Sequence, residues 1–480
     1  MLRKSYQGEG KISSILCSTR WKYVRQILAV AVAAMIISSG LFLRGEAAPG
    51  NLDTTFSSDG RQTSDFLSGV DYDRAAGVAV QSNGKIVVVG TADPGGGNEQ
   101  FALARYNDNG TLDTTFSGDG KKTTDFPGGR DLAYAVALQS DGKIVVAGQT
   151  VLSSTNSDFE VARYNIDGSL DDGTANDSTP GDSFGTGGRQ TTDFFGKQDI
   201  ASSVAIQPNG KIVVGGLATN AGGDFAVARY NSDGAPDITF SSDGKLTTDF
   251  GTSSDVALSI AIQANNKIVA AGGINNSGIG SARKFALARY TGTGALDTTF
   301  SGDGKLTTTF MGGSAASSVA MQGDSKIVAA GSAYTDSSNS ESDFALARYN
   351  GNGSLDDGTV NDSTSGDSFG TGGKVTTNFF GGFDGANAVA IQSNGKIVAA
   401  GGARQSDGSN PDFALARYTS DGTPDTTFSG DGKRTVGFFN GSRDEGKAIA
   451  IQTNGKIVVA GSADIFNGRV DFAVARFIGD

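Results

Sequence analysis

The sequence predicts an all-β protein: a single seven-bladed β-propeller of four-stranded antiparallel blades. Three observations lead there. One unit recurs seven times, marked by Lys85, Lys143, Lys211, Lys267, Lys326, Lys396 and Lys456, at spacings of 58, 68, 56, 59, 70 and 60 residues. Every unit carries a hairpin signal between two short β-branched runs. No stretch after residue 48 sustains an apolar period near 3.6, because Gly, Asn, Asp and Ser interrupt each run within about eight residues.

Each unit reads approximately L-D-T-T-F-S-G-D-G-K-x-T-T-D-F, then A-x-A-V-A-I-Q, then x-N-G-K-I-V-V-A-G, then D-F-A-L-A-R-Y-N-x-D-G. Val204 to Gln207 and Lys211 to Gly215 flank Asn209-Gly210, a dipeptide that favours a type I′ hairpin. Asn-Gly or Asp-Gly stands there in five units, with Asn265-Asn266 and Asp324-Ser325 in the other two. In Phe101 to Tyr106, large side chains alternate with Ala, which suits a strand packed on both faces, as in a blade between two blades. A parallel β-helix would not use short hairpins, and an open solenoid would need atypical polar caps, whereas the first and last units here are ordinary copies. Counted from A-V-A-I-Q, the last blade lacks its outer strand. The segment near Arg61 to Phe66 is expected to complete it beside Phe472 to Phe477.

The blocks Leu112 to Lys121, Asn454 to Gly461 and Asp343 to Asn350 resemble the delta-60 repeat family, a group of bacterial β-propellers of unassigned function. The resemblance covers about residues 50 to 480 and departs from the pattern only in two inserts. It implies a propeller in an exported bacterial protein, and it brings no catalytic residue with it.

Residues 1–48 read as an export signal or N-terminal anchor, and 49–480 as the propeller domain. Arg3, Lys4, Lys11, Arg20, Lys22 and Arg25 precede an apolar run from Ile27 to Leu43, followed by Gly45-Glu46-Ala47-Ala48. The run is interrupted by Ser38, Ser39 and Gly40 and falls short of the about 20 apolar residues of a stable span, so cleavage near Ala48 or Pro49 is expected. The product would be periplasmic, secreted or at the cell surface, monomeric and without a membrane span. Without the leader's seven Lys and Arg and two Asp and Glu, 32 basic residues face 49 acidic ones, a net −17, which argues against nucleic acid as a partner. There is no His, and Cys17 and Trp21 lie in the leader. Disulfides, thiol nucleophiles, Ser–His triads and His-ligated metals are therefore excluded from the propeller.

The candidate chemistry is sparse. Two Asp-rich inserts, Leu170 to Asp182 and Leu355 to Asp367, each offer four carboxylates: Asp171, Asp172, Asp177 and Asp182, and Asp356, Asp357, Asp362 and Asp367. A hard cation such as Ca²⁺ takes six to eight oxygen ligands, so both inserts are candidate Ca²⁺ sites, although their spacing matches no EF-hand loop. They occupy the same point of the repeat and hence one ring face. Seven recurring Arg (Arg105, Arg163, Arg229, Arg289, Arg348, Arg417, Arg476) could bind an anion, but their presence in every unit favours pairing with a repeat carboxylate such as Asp113 or Asp297. Repetition likewise assigns an architectural role to the seven Gln at strand ends. An enzyme would need unit-specific carboxylates such as Glu160 or Glu445. The absence of Trp disfavours an aromatic-platform lectin, with Tyr as the available substitute. A non-catalytic binding or scaffold module with a protein or polysaccharide ligand is the reading the residues favour; a carboxylate-based enzyme or a Ca²⁺-dependent adhesion protein is the alternative.

Overall fold

The computed structural model describes residues 48–480 apart from 67–71, 176, 180, 252–253, 276–282, 336–339, 360–361, 365–366 and 466–467. The export segment expected over residues 1–48 lies almost wholly outside the described residues. Those described form 28 strands and no helix.

The first strand, β1 (Arg61–Ser64), pairs with no strand near it in sequence. Blade 1 comprises β2 (Arg74–Val80), β3 (Ile86–Ala92), β4 (Gln100–Tyr106) and β5 (Lys121–Thr124), antiparallel and in that order from the axis outward. Blades 2 to 6 repeat it. Blade 7 has three strands of its own, Asp444–Ile451, Ile457–Ile465 and Arg469–Phe477, and takes β1 as its fourth, with Arg61 opposite Ala475 and Ser64 opposite Phe472. The ring therefore closes by the exchange the repeat phase predicts. Each innermost strand packs on the next, and that of blade 7 packs on β2, so seven innermost strands surround one channel.

The hairpin between the first two strands differs from expectation. Gln81 N–H donates to Lys85 O (2.8 Å) and Gly84 N–H to Gln81 O (2.9 Å), and Gly84 alone has positive φ, at 83°. This is a type I turn followed by a left-handed residue, where a type I′ turn would need two. Asn266 (φ 64°) and Ser325 (φ 71°) take that position in the two units without Gly. Asn tolerates this region better than most residues, which explains the first replacement.

The innermost strands share a second irregularity. In all seven the register slips by one residue, between Ala75 and Gly77, Ala133 and Ala135, Ala201 and Ser203, Ala257 and Ser259, Ala316 and Ser318, Ala386 and Ala388, and Gly446 and Ala448. The Gly of V-V-A-G lies opposite each bulge: a Cβ on Gly272 would sit 1.8 Å from Val256 O, and one on Gly90 1.9 Å from Arg74 O. The recurring glycine thus permits the bulge.

The core is divided into seven clusters, one between each pair of neighbouring blades. Phe56, Ala75, Val88 and Ala104 of the first unit, for example, pack against Val458, Phe472 and Val474 of the last. Small Ala alternating with Val, Leu and Phe lets adjacent sheets approach and interdigitate.

Candidate functional site: the bulge ring at one channel mouth

One face of the ring carries the hairpins and the loops between third and fourth strands, and here every blade builds the same node. Arg289 is buried; its Nε donates to Asp297 Oδ2 (2.7 Å), Nη2 to Thr299 Oγ1 (3.0 Å) and Nη1 to the carbonyl of Gly351 in the next blade. Lys267 reaches the same Asp297 Oδ2 at 2.7 Å. Ion pairs of the same two groups recur as Arg105–Asp113 (2.6 Å), Arg229–Asp237 (2.6 Å), Arg417–Asp425 (2.8 Å) and, across the closure, Arg476–Asp53 (2.7 Å). Burial alone would raise these carboxyls, but the Lys and Thr hydrogen bonds and the Arg charge outweigh it. Asp297 is held well below the usual range and Asp53 at about 2. These Arg are structural links between blades, as their repetition implied.

The two inserts lie on this face, and their first carboxylates belong to the node. Asp171 is the counterpart of Asp113: its Oδ2 accepts from Arg163 Nε and from Lys143 Nζ (2.9 Å). Asp182 takes the place of the node Thr, facing Arg163 Nη2 (3.2 Å) and Lys143 Nζ (2.5 Å). Asp177 accepts from Asn165, from the Gly173 amide (2.7 Å) and from the Thr179 amide (2.9 Å), and Asp172 from the Thr174 amide (2.9 Å). The second insert repeats this, with Asp356 and Asp367 on Arg348 and Lys326, Asp362 on Asn350 and Gly358, and Asp357 on Thr359. Each insert thus brings two carboxylates onto two protein cations. Among the described residues, no three of these eight groups come within 4.8 Å of one another.

The opposite face is where the sevenfold equivalence fails. The bulged residues, freed from the ladder, are Ala76, Tyr134, Ser202, Leu258, Ser317, Asn387 and Lys447, all half-buried or exposed on the innermost strands. A bulge re-aims a side chain without disturbing the sheet beyond it, so this position varies at no cost to the core. Around Asn387 and Lys447 the polar groups converge. Glu445 Oε1 accepts from Asn387 Nδ2 (3.1 Å) and Lys447 Nζ (2.5 Å), and Arg443 lies 3.9 Å from Oε2. Burial would raise the Glu445 carboxyl, but the Lys447 charge, Asn387 and Arg443 hold it below its ordinary value. Asn387, Glu445 and Arg443, with Phe383, Asp384 and Arg404, line a cleft of about 230 Å³. A second cleft on the same face, about 340 Å³, is lined by Tyr72, Arg74, Asp93, Glu99 and Tyr134 among others. Phe383 and Tyr72 are exposed aromatics, and Arg74 lies 5.3 Å from the Tyr72 ring.

Of the two unit-specific glutamates, Glu445 therefore lies at the channel mouth. Glu160 does not. It replaces the Ala found at Ala102, Ala226 and their counterparts, is completely buried, and pairs with Arg189 Nη1 at 3.0 Å. Burial and then the nearby Asp131 charge push it up to about 8. The bulge ring itself has no sequence signal beyond the variable residue five places before each strand-end Gln.

No curated protein matches the chain. Solved structures resemble it at low identity. Virginiamycin B lyase from Staphylococcus aureus is 10% identical, with a TM-score of 0.45 over 87% of this chain and 99% of its own. A polysaccharide lyase, the PL25 ulvan lyase, is 12% identical, with a TM-score of 0.48 over 90% and 96%. The β-propeller domain of the trilobed protease from Pyrococcus furiosus is 9% identical, with a TM-score of 0.39 over 87% and 95%. Residues 81–116, 139–173, 207–240, 263–300, 322–358, 392–428 and 452–478, one segment per blade and half of the chain, match a family model described as a domain of unknown function (DUF5122) β-propeller. With seven consecutive matches in register with seven blades, the chain belongs to the DUF5122 β-propeller family.

Proposed function

We propose that the protein is an exported, non-catalytic binding module that holds a polysaccharide at the channel mouth lined by the bulge ring. One observation carries this reading: the hairpin face repeats one node in every blade, whereas the bulged position presents seven side chains of six kinds. The node is held uniform by its links between blades, whereas the bulged position is free to specialise, and at Asn387 it does so beside Glu445, Arg404 and Phe383. Exposed Phe383 supplies an apolar face in the cleft where Arg404, Asn387 and Glu445 supply directional hydrogen bonds, the combination that suits a sugar ring, and Tyr72 supplies an apolar face in the second cleft.

A hydrolytic or lyase reading would need an acid and a base in the same cleft, and Asp384, raised by burial, and Glu445, lowered, both line it. Asp384, however, is buried with Oδ2 on the Phe379 amide (2.7 Å) and Oδ1 on the Arg404 amide (3.1 Å), and the same carboxylate recurs as Asp131, Asp199 and Asp444. It caps the strand entry, which disfavours catalysis. The test is co-sedimentation of the full chain with insoluble cell-envelope polysaccharides. Asn387→Ala with Arg404→Ala should lower retention at least tenfold, while Asp172→Asn on the other face should leave it unchanged. Equal retention of the cleft variant, or release of shortened sugars by the wild type, would overturn the proposal.

A further inference from the structure

We propose that Asp158, Asp193 and Asp199, at the junction of blades 2 and 3, form a binding site for a hard divalent cation. Asp158 lies on the third strand of blade 2 (Asn156–Tyr164), Asp193 just after the fourth (Arg189–Thr192), and Asp199 opens the first strand of blade 3 (Asp199–Ile206). Oxygens of all three lie within 4.8 Å of one another. Asp199 is completely buried; its Oδ2 accepts the Phe194 amide at 2.7 Å, and its buried Oδ1 has no hydrogen-bond partner. Asp158 Oδ1 is buried and unpartnered in the same way. No described Lys or Arg comes within ion-pair distance of Asp158, Asp193 or Asp199: the adjacent Lys245 donates instead to the backbone carbonyl of Asp193, at 2.5 Å.

The chain contains its own control. The same three positions at the junction of blades 7 and 1 are Asp471, Asp65 and Asp73. There Arg469 enters, 2.5 Å from Asp65 and 3.7 Å from Asp471. The residue corresponding to Arg469 is Asn156 in blade 2 and Gly222 in blade 3, neither of which carries charge. Where blade 4 meets blade 5 the three positions are Lys284, Thr309 and Ser314, with no carboxylate to neutralise. Three carboxylates gathered around one that is completely buried favour a positive charge, which the protein provides between blades 7 and 1 and omits between blades 2 and 3. The donors are all oxygen, with no His or Cys in the propeller, so the cation is a hard one of the calcium class. It would join strands of two successive blades and so stitch the ring.

Calorimetric titration of the EDTA-treated full chain with CaCl₂ at neutral pH tests this. One ion per chain is expected, and none in Asp193→Asn. The substituted side chain is exposed, so the variant should keep the wild-type melting temperature in EDTA. Asp172→Asn/Asp357→Asn, in the inserts, should still bind one. Absence of binding up to about 10 mM, beyond the weak extracellular range, would overturn the proposal. So would a stoichiometry unchanged in the Asp193 variant or lost in the insert variant.

Discussion

Replacing Arg289 by Ala tests how much one node contributes to the ring. The guanidinium is 3% exposed and holds Asp297, Thr299 and the Gly351 carbonyl of the next blade, with the Phe300 ring 4.6 Å away. Removing one partner of a buried ion pair costs about 3–5 kcal/mol when the remaining charge is left uncompensated. Here Lys267 stays 2.7 Å from Asp297, but its side chain is 28% exposed and it replaces neither the Thr299 nor the Gly351 contact. The lower end, about 3 kcal/mol, is therefore expected. With an unfolding entropy of about 2.1 cal/mol/K per residue over roughly 430 residues, that corresponds to about 3 °C in Tm. Urea unfolding followed by Tyr fluorescence, with scanning calorimetry alongside, measures both quantities. Arg289→Lys should recover only part, since an ammonium cannot serve Asp297, Thr299 and Gly351 at once. Unchanged Tm and urea midpoint in Arg289→Ala would refute the claim that the node links blades.

The packing sets three further outcomes. Glu160, at about 8 in the fold against an ordinary 4.5, keeps its proton when folded and releases it when unfolded, so its burial erodes stability as pH rises from about 4.5 to about 8, by up to about 1.4 kcal/mol per unit. Glu160→Gln should accordingly gain on the wild type between pH 5 and pH 8 in urea titrations, and parallel profiles would refute the protonated state. Six blades bury a Tyr whose hydroxyl meets Ser or Thr on the preceding blade's outer strand, as in Tyr290 to Thr248 (2.8 Å), whereas blade 7 has Phe477 against Val436 in one cluster. Phe477→Tyr alone should cost about 1–3 kcal/mol for a buried hydroxyl without a partner, and adding Val436→Thr should restore most of it; simple additivity in that double-mutant cycle would count against the pairing. Gly272→Ala should severely lower the yield of folded protein, because its Cβ would collide with Val256 O, and a wild-type Tm would show the bulge to be adaptable.

The sequence carries the fold almost completely, since seven Lys-marked units specify the blade count and the phase of Arg61 to Phe66 specifies the closure. It carries the turn less well. Asn-Gly suits both a type I′ turn and a type I turn with a following left-handed Gly, and the Gln81–Lys85 hydrogen bond with the single positive φ at Gly84 separates them. Asp171 and Asp356 show what composition leaves out locally. Each insert begins directly after the repeat Asp, so a node residue on Arg and Lys looks like the first of a new acidic run. The trio Asp158, Asp193 and Asp199 is invisible in sequence for the opposite reason: its members come from separate strands of two blades and no local window contains them. The bulges are encoded only by the Gly on the neighbouring strand, a signal indistinguishable in sequence from a strand end.

The four-pair clasp of β1 on Arg469–Phe477 sets the order of assembly. Joining Arg61 to Ala475 from a disordered chain would carry a loop-closure entropy of about 5 kcal/mol, more than a four-residue ladder returns. Once blades 1 to 6 have stacked, their accumulated curvature brings the two chain ends side by side and most of that entropy has already been spent on local contacts. The clasp is therefore expected to form last and open first, which hydrogen exchange of the Arg61–Ser64 amides faster than those of the inner strands would show. An opened ring exposes the outer edge of the last three strands of blade 7 and the unpaired β1, two complementary edges on one molecule. Two opened rings presenting those edges to each other can exchange them, so the pairing of β1 that helps to seal the monomer also defines a route to a domain-swapped dimer.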